Sequence, residues 1–144
     1  MTGWTTQGVR LDIALAVVME VSVLQLGRAE TAGDRDKAVT FNDRLWRVVA
    51  ALAPTAPLAE DRTALHNTAA VIAAGGRRVD QLVELNRCFA RLLAGRAATD
   101  GALGHILDRW RAARRAGTDL EFGPWLLELL DGLTVRHGAQ SLAA

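Results

Sequence analysis

Phe41-Asn42-Asp43-Arg44-Leu45-Trp46-Arg47-Val48-Val49-Ala50-Ala51-Leu52 is the stretch that decides the fold. Its apolar residues Phe41, Leu45, Val48, Val49 and Leu52 recur at i, i+4, i+7, i+8 and i+11, which is one face of an α-helix and not the alternation of a strand. Working outward, Gly33 offers a left-handed stop to a preceding helix over about residues 9–32, and Asp34 can cap the quoted one. On the other side Pro54 and Pro57 punctuate its end, because an interior proline removes a hydrogen bond and clashes one turn back. Pro57 suits the first turn of a third helix, which carries Leu58, Leu65, Ala69 and Ile72 on one stripe and closes at Gly75-Gly76.

A fourth helix is predicted over about residues 78–94, with Val79, Leu82, Val83, Asn86, Phe89, Leu92 and Leu93 inward and Gly95 beyond its end. Thr99 or Asp100 starts a fifth, carrying Leu103, Ile106, Leu107 and Trp110, and Gly117 follows its arginine-rich last turn. Thr118 and Glu121 match a capping box, with Gly123-Pro124 a competing start one turn later. Either start leaves Phe122, Trp125, Leu126, Leu129, Leu130 and Leu133 as the strongest amphipathic face in the chain. No bounded run alternates apolar with polar residues, so no strand is expected, and the small polar tail after Gly138 reads as frayed.

The expectation is an all-α protein, a compact antiparallel bundle of five or six helices with short loops. Residues 1–144 read as a single helical domain. The softest boundary, residues 95–101, sets helices one to four apart from a C-terminal helical pair over residues 96–144, and a two-helix unit cannot enclose a core of its own.

Composition narrows the function classes. Of 144 residues 17 are basic and 16 acidic, a formal charge of +1, so no net field recruits nucleic acid or anionic lipid. Sixteen of the 17 basic residues are arginine, the bias of a GC-rich bacterial coding sequence. The single cysteine excludes an internal disulfide and fits a reducing cytosol. The stretch from Leu11 to Leu26 invites a membrane reading, yet its uninterrupted apolar run, Ile13 to Met19, is seven residues, where a span needs about 20. No Ala-x-Ala cleavage pattern follows it before Gly27-Arg28-Ala29-Glu30. A helix apolar on all sides is then the central or interface helix of a soluble, cytoplasmic protein with no membrane partner.

Residues that carry chemistry are sparse. His66, His105 and His137 lie more than 30 residues apart, without HExxH or Cys-x-x-Cys, so neither metal nor other cofactor is expected. Cys88, in mid-helix beside Phe89, reads as a small buried hydrophobe. Gly75-Gly76 lacks the Gly-Lys-Ser/Thr ending of a phosphate loop. Glu20, Asp43, Glu84 and Glu128 sit on helices with apolar stripes and form no acid–base pair by spacing, so no enzyme is expected. Arg109, Arg111, Arg114 and Arg115 crowd the end of the fifth helix, and Arg77, Arg78, Arg87, Arg91 and Arg96 decorate the fourth. Such guanidinium clusters can bind RNA phosphates and stack on bases, and in a last helical turn they also complement the macrodipole. Asn42 and Asn86 fall on or beside apolar stripes. A buried amide must be hydrogen-bonded and can fix helix register, so both are read as structural registrars near the Trp46 indole, with ligand contact as the alternative.

The same residues carry a resemblance. Phe41-Asn42-Asp43-Arg44-Leu45-Trp46, followed about 40 residues later by Leu82-Val83-Glu84-Leu85-Asn86-Arg87, resembles the FlaF family of flagellar biosynthesis regulators. That family has an Asn-x-x-Leu-Trp segment and, after a helix, a Leu-x-x-(Leu/Ile)-Asn-Arg segment. Leu58, Arg62 and Val71 are counterparts of residues between them. The similarity covers about residues 11–95; Pro57-Leu58 reverses the family's usual Leu-Pro order, and residues 96–144 extend beyond its usual end.

The resemblance implies a non-enzymatic regulator that promotes flagellin synthesis or export, with flagellin or another flagellar regulator as partner. The residues expected to meet a partner are Asn42, Leu45, Trp46, Asn86, Arg87, Phe122, Trp125 and Leu129, and the preferred surfaces are the apolar N-terminal helix and the Phe122–Leu133 face. A homo-oligomer is a further partner reading. The alternatives are an arginine-faced RNA-binding post-transcriptional regulator and a helical oligomerisation or scaffold module unrelated to flagella.

Overall fold

Gln7 and Gly8 both take positive φ, 51° and 78°, the signature of the tight turn whose twist matches two antiparallel strands. They join β1 (Thr5–Thr6) to β2 (Val9–Arg10), with Thr5 opposite Arg10 and Thr6 opposite Val9. The sequence pattern does not reveal this hairpin, because strands of two residues are too short to show a period. A computed structural model describes the backbone of residues 3–96 and 101–143 and the side chains of residues 3–95 and 101–134. The expected caps Thr99 and Asp100 lie outside the described residues, as does the side chain of His137.

Six helices follow: α1 (Leu11–Arg28), α2 (Ala32–Leu52), α3 (Ala59–Ala73), α4 (Val79–Arg96), α5 (Ala102–Arg115) and α6 (Phe122–Ala143). The architecture is an all-α bundle, with a 3₁₀ turn at Ala53–Thr55 between α2 and α3. The central helix is α1, which packs against α2, α4, α5 and α6. Leu11, Ala14, Leu15, Val18, Met19, Ser22, Val23 and Leu26 form its fully buried side.

The boundary between α1 and α2 departs from the expectation. Helix α1 ends at Arg28 on an extended Ala29, and Thr31, not Asp34, caps α2, its Oγ1 accepting from the Asp34 backbone N–H at 3.0 Å. Gly33 lies within the first turn of α2, because Thr31-x-x-Asp34 supplies a capping hydroxyl at the right spacing. Further along, Gly75, Gly76 and Gly117 do take positive φ. At Gly117 the N–H bonds run to Arg114 and, from Thr118, to Ala113 (both 3.1 Å), which satisfies the last carbonyls of α5. Helix α6 uses neither expected start: it begins at Phe122, with Gly123 and Pro124 inside its first turn, Trp125 donates to the Glu121 carbonyl at 2.9 Å, and Thr118 takes no part in a capping box with Glu121. Helix α6 then continues to Ala143, through the tail expected to fray.

Polar contacts fix the ends. Arg10 grips Asp12 through two bonds of 3.0 and 2.7 Å, and Asp12 Oδ1 also accepts from Ile13 N, which holds a carboxylate at the positive end of α1. The buried Trp4 indole donates to Thr55 Oγ1 at 2.8 Å, and Thr55 donates to the Leu52 carbonyl. Arg44 meets Asp131 at 3.1 Å between α2 and α6, an exposed pair of small energetic weight.

Helix α6 approaches α1 closely at Gly123, where an added Cβ would stand 2.5 Å from Val21 Cγ1. Valine is stiff at χ1 and cannot swing away. Gly123→Ala is therefore expected to lower stability by about 1 kcal/mol or more in urea unfolding, since overpacking costs about 1–3 kcal/mol against a helix-propensity gain of under about 1 kcal/mol. A gain in stability would show that α6 stands further from α1.

Candidate functional site

Asn42 and Asn86 each occur on a stripe that packing buries completely, and their amides must find partners there. The Trp46 indole nitrogen can only donate, and it donates to Asn86 Oδ1 at 2.8 Å. That fixes the orientation of the Asn86 amide, whose Nδ2 donates to Asn42 Oδ1 at 2.8 Å. Ser22 Oγ donates to the same Asn42 oxygen at 2.9 Å. The resulting chain ties α1, α2 and α4 together at one level of the bundle. Asn42 Nδ2 is left without a hydrogen-bond partner among the described residues. The Trp46 ring completes the arrangement edge-on to Phe89, centroids 5.5 Å apart. Asn42 and Asn86 are thus hydrogen-bonded beside the Trp46 indole, the placement that a register role requires. Ser22 was not anticipated as a member, although its place on an apolar stripe was a readable sign.

Of the eight residues expected to meet a partner, Asn42, Leu45, Trp46 and Asn86 lie inside the bundle. In this conformation they support a surface and do not form one. Arg87 is exposed on α4, while Phe122, Trp125 and Leu129 are half-buried along α6. Phe122 and Trp125 join Trp110 of α5 in an aromatic cluster with centroids 5.4 to 6.1 Å apart, and the Arg114 guanidinium lies 5.4 Å from the Trp110 ring centre. Most of this cluster is spent on holding α5 against α6. Leu58 and Val71 are exposed, whereas Arg62 folds back and donates to the Ala56 carbonyl at 2.7 Å, closing the turn before α3.

Cys88, expected in the core, is exposed. The inward line of α4 runs through Leu82, Asn86, Ala90 and Leu93, and Cys88 stands two residues, more than half a turn, away from it. Leu92, Leu103 and Leu58, also expected inward, are 40 to 46% exposed. Among the described residues no three His, Cys, Asp or Glu side chains converge in a metal-binding group. No helix among them is long and apolar enough to cross a membrane.

The surface that stands out is a groove of about 380 Å³ where α1, α4 and α5 meet. Helix α1 presents Ile13, Val17, Val21 and Leu24 to it, spaced four, four and three residues apart, and Leu24 is 51% exposed. Ala90 and Ala94 of α4 keep the opposite wall low, and Leu103 of α5 flanks it. Among the described residues Glu20 and Arg91 are the only charged ones in its lining. Exposed leucines gathered in one concave patch give an apolar surface that a partner can cover. The arrangement suits an apolar helical stripe. Comparison with known proteins gave no match: no family model fits the sequence, and neither a curated protein nor a solved structure aligns with it.

Proposed function

We propose that the protein is a non-enzymatic regulator of flagellar biosynthesis that binds flagellin in the apolar groove beside α1 and so promotes flagellin synthesis or export. The observation that carries this reading is the groove itself, with Leu24 and Leu103 half-exposed across from one another's helices and only Glu20 and Arg91 as charges. The resemblance of the Asn42–Trp46 and Leu82–Arg87 segments to FlaF proteins supplies the partner. Asn42, Trp46 and Asn86 of those segments form one hydrogen-bonded unit.

The test is capture of flagellin monomer and of flagellin 5′ leader RNA by the purified protein, at low and at moderate salt. Capture of flagellin that survives moderate salt, and is lost in a Leu24→Asp/Leu103→Asp variant of unchanged melting behaviour, is the expected result. A second reading rests on the exposed Arg109, Arg111, Arg114 and Arg115 of α5, with Arg114 beside the Trp110 ring. Capture of RNA alone, falling steeply as salt rises because each phosphate contact releases counterions, would move the function there. Capture of neither would leave a helical scaffold.

A further inference from the structure

A second groove, of about 470 Å³, lies between α2 and α3 and is closed at one end by the Gly75-Gly76 turn and Leu82 of α4. It shares no lining residue with the groove beside α1. Its floor is apolar, with Trp46, Leu82 and Ile72 buried, and the small side chains of Ala50, Ala69, Ala70 and Ala73 keep its walls low. The α2 residues that line it run from Val39 to Ala50, a length of about 16 Å or three helical turns. A trough of that shape accepts the side of a helix.

The rim gives the chemistry. Arg47 stands toward the Ala50 end and Arg77 beyond Gly76 at the other, with Asp43 and His66 also on the rim. Arg47 Nε reaches only the Asp43 backbone carbonyl, at 3.5 Å, and among the described residues neither Arg47 nor Arg77 has a carboxylate partner. Arg10, Arg44, Arg78 and Arg111 are paired, while among the described residues other exposed arginines such as Arg87 and Arg109 are not; what sets Arg47 and Arg77 apart is that they flank an apolar trough whose described lining holds one carboxylate, Asp43. Two unpaired guanidinium groups toward the ends of an apolar trough complement carboxylates at both ends of an apolar stripe, and guanidinium–carboxylate contacts are the strong form of such pairing. Nucleic acid is disfavoured because the floor is aliphatic, and its one aromatic ring, Trp46, is buried and gives no face for a base to stack on.

We infer that the groove between α2 and α3 receives an amphipathic helix of a partner protein, about three turns long, with an apolar stripe and acidic residues near both ends. This site is independent of the flagellin groove and gives the protein a second protein-binding face. The apolar stripe settles on the alanine-walled floor, while Arg47 and Arg77 set the direction of approach and reject helices with basic ends.

The test uses the full chain and two fluorescein-labelled synthetic helices of about 14 residues, sharing a leucine stripe and differing in having glutamate or lysine at both ends. The glutamate helix should bind at least about tenfold more tightly in fluorescence anisotropy. In an Arg47→Glu/Arg77→Glu variant the preference should reverse toward the lysine helix. An Arg111→Glu/Arg115→Glu variant, with the same charge change on α5, should keep the original preference. Arg47 and Arg77 are exposed, so the reversal leaves the core intact, and thermal melting checks this. Equal binding of the two helices, a shift of equal size in both variants, displacement of the helix by single-stranded RNA, or no saturable binding of either helix would each overturn the proposal.

Discussion

Replacing Trp46 by alanine is expected to cost about 3–5 kcal/mol of stability, the range for removing a large aromatic side chain from a core that cannot fully collapse. The ring is 1% exposed and is the largest fully buried side chain in the protein. Its edge-on partner Phe89, 5.5 Å away, would lose one side of its packing, and Asn86 Oδ1 would lose its donor. A domain with a total stability of about 5–15 kcal/mol would then be close to unfolding at ordinary temperature. Urea unfolding followed by circular dichroism measures the loss, and Trp46→Phe separates its two parts. That variant keeps a phenyl ring but loses the N–H together with the rest of the pyrrole ring, so about 2–3 kcal/mol is expected for it. A loss below about 1 kcal/mol for Trp46→Ala would show that the ring is outside the core.

The second large effect belongs to Asn86. Leucine keeps the branched shape of asparagine at a larger volume, and Asn86→Leu leaves the Trp46 N–H without an acceptor and takes from Asn42 Oδ1 one of its two donors, Ser22 being the other. A buried polar group stripped of its partner costs about 1–3 kcal/mol, so a loss of about 2–4 kcal/mol is expected. The double variant Trp46→Phe/Asn86→Leu decides whether the bond is the cause. With donor and acceptor both gone, the double variant should lose clearly less than the sum of the single losses. Strict additivity would mean that the Asn86 effect comes from packing alone.

Much of the fold is legible in the sequence because the relevant signals are local. The apolar repeat of α2, the glycines at 75, 76 and 117, and polar residues set into apolar stripes each follow from backbone geometry within a few residues. Asn42, Trp46 and Asn86 can be grouped from their positions in the chain because an indole N–H and two amides on buried faces must find one another. The hairpin ahead of α1 is not legible, since its only sign is Gln7-Gly8. The groove beside α1 is hidden for a different reason. Helix α1 is apolar on every side, so composition does not distinguish the buried Leu15–Val18–Ser22 line from the open Ile13–Val17–Val21–Leu24 line. Which line stays open depends on where α4 and α5 sit, and that is a tertiary property. The same holds for the α2–α3 groove, whose alanines read in sequence as ordinary helix formers.

The bond between Trp4 and Thr55, 51 residues apart in sequence, has a consequence for how the molecule comes undone. It fastens the strand end of α1 to the far end of α2, while the three-residue link of residues 29–31 joins the two helices at the opposite end. The α1–α2 pair is thereby a closed ring, and a chain end that would otherwise be free to peel is a clasp. Fraying from the strand end must first break that bond, worth about 1 kcal/mol, and it then meets α1 still packed on α4 and α2 still packed on α3.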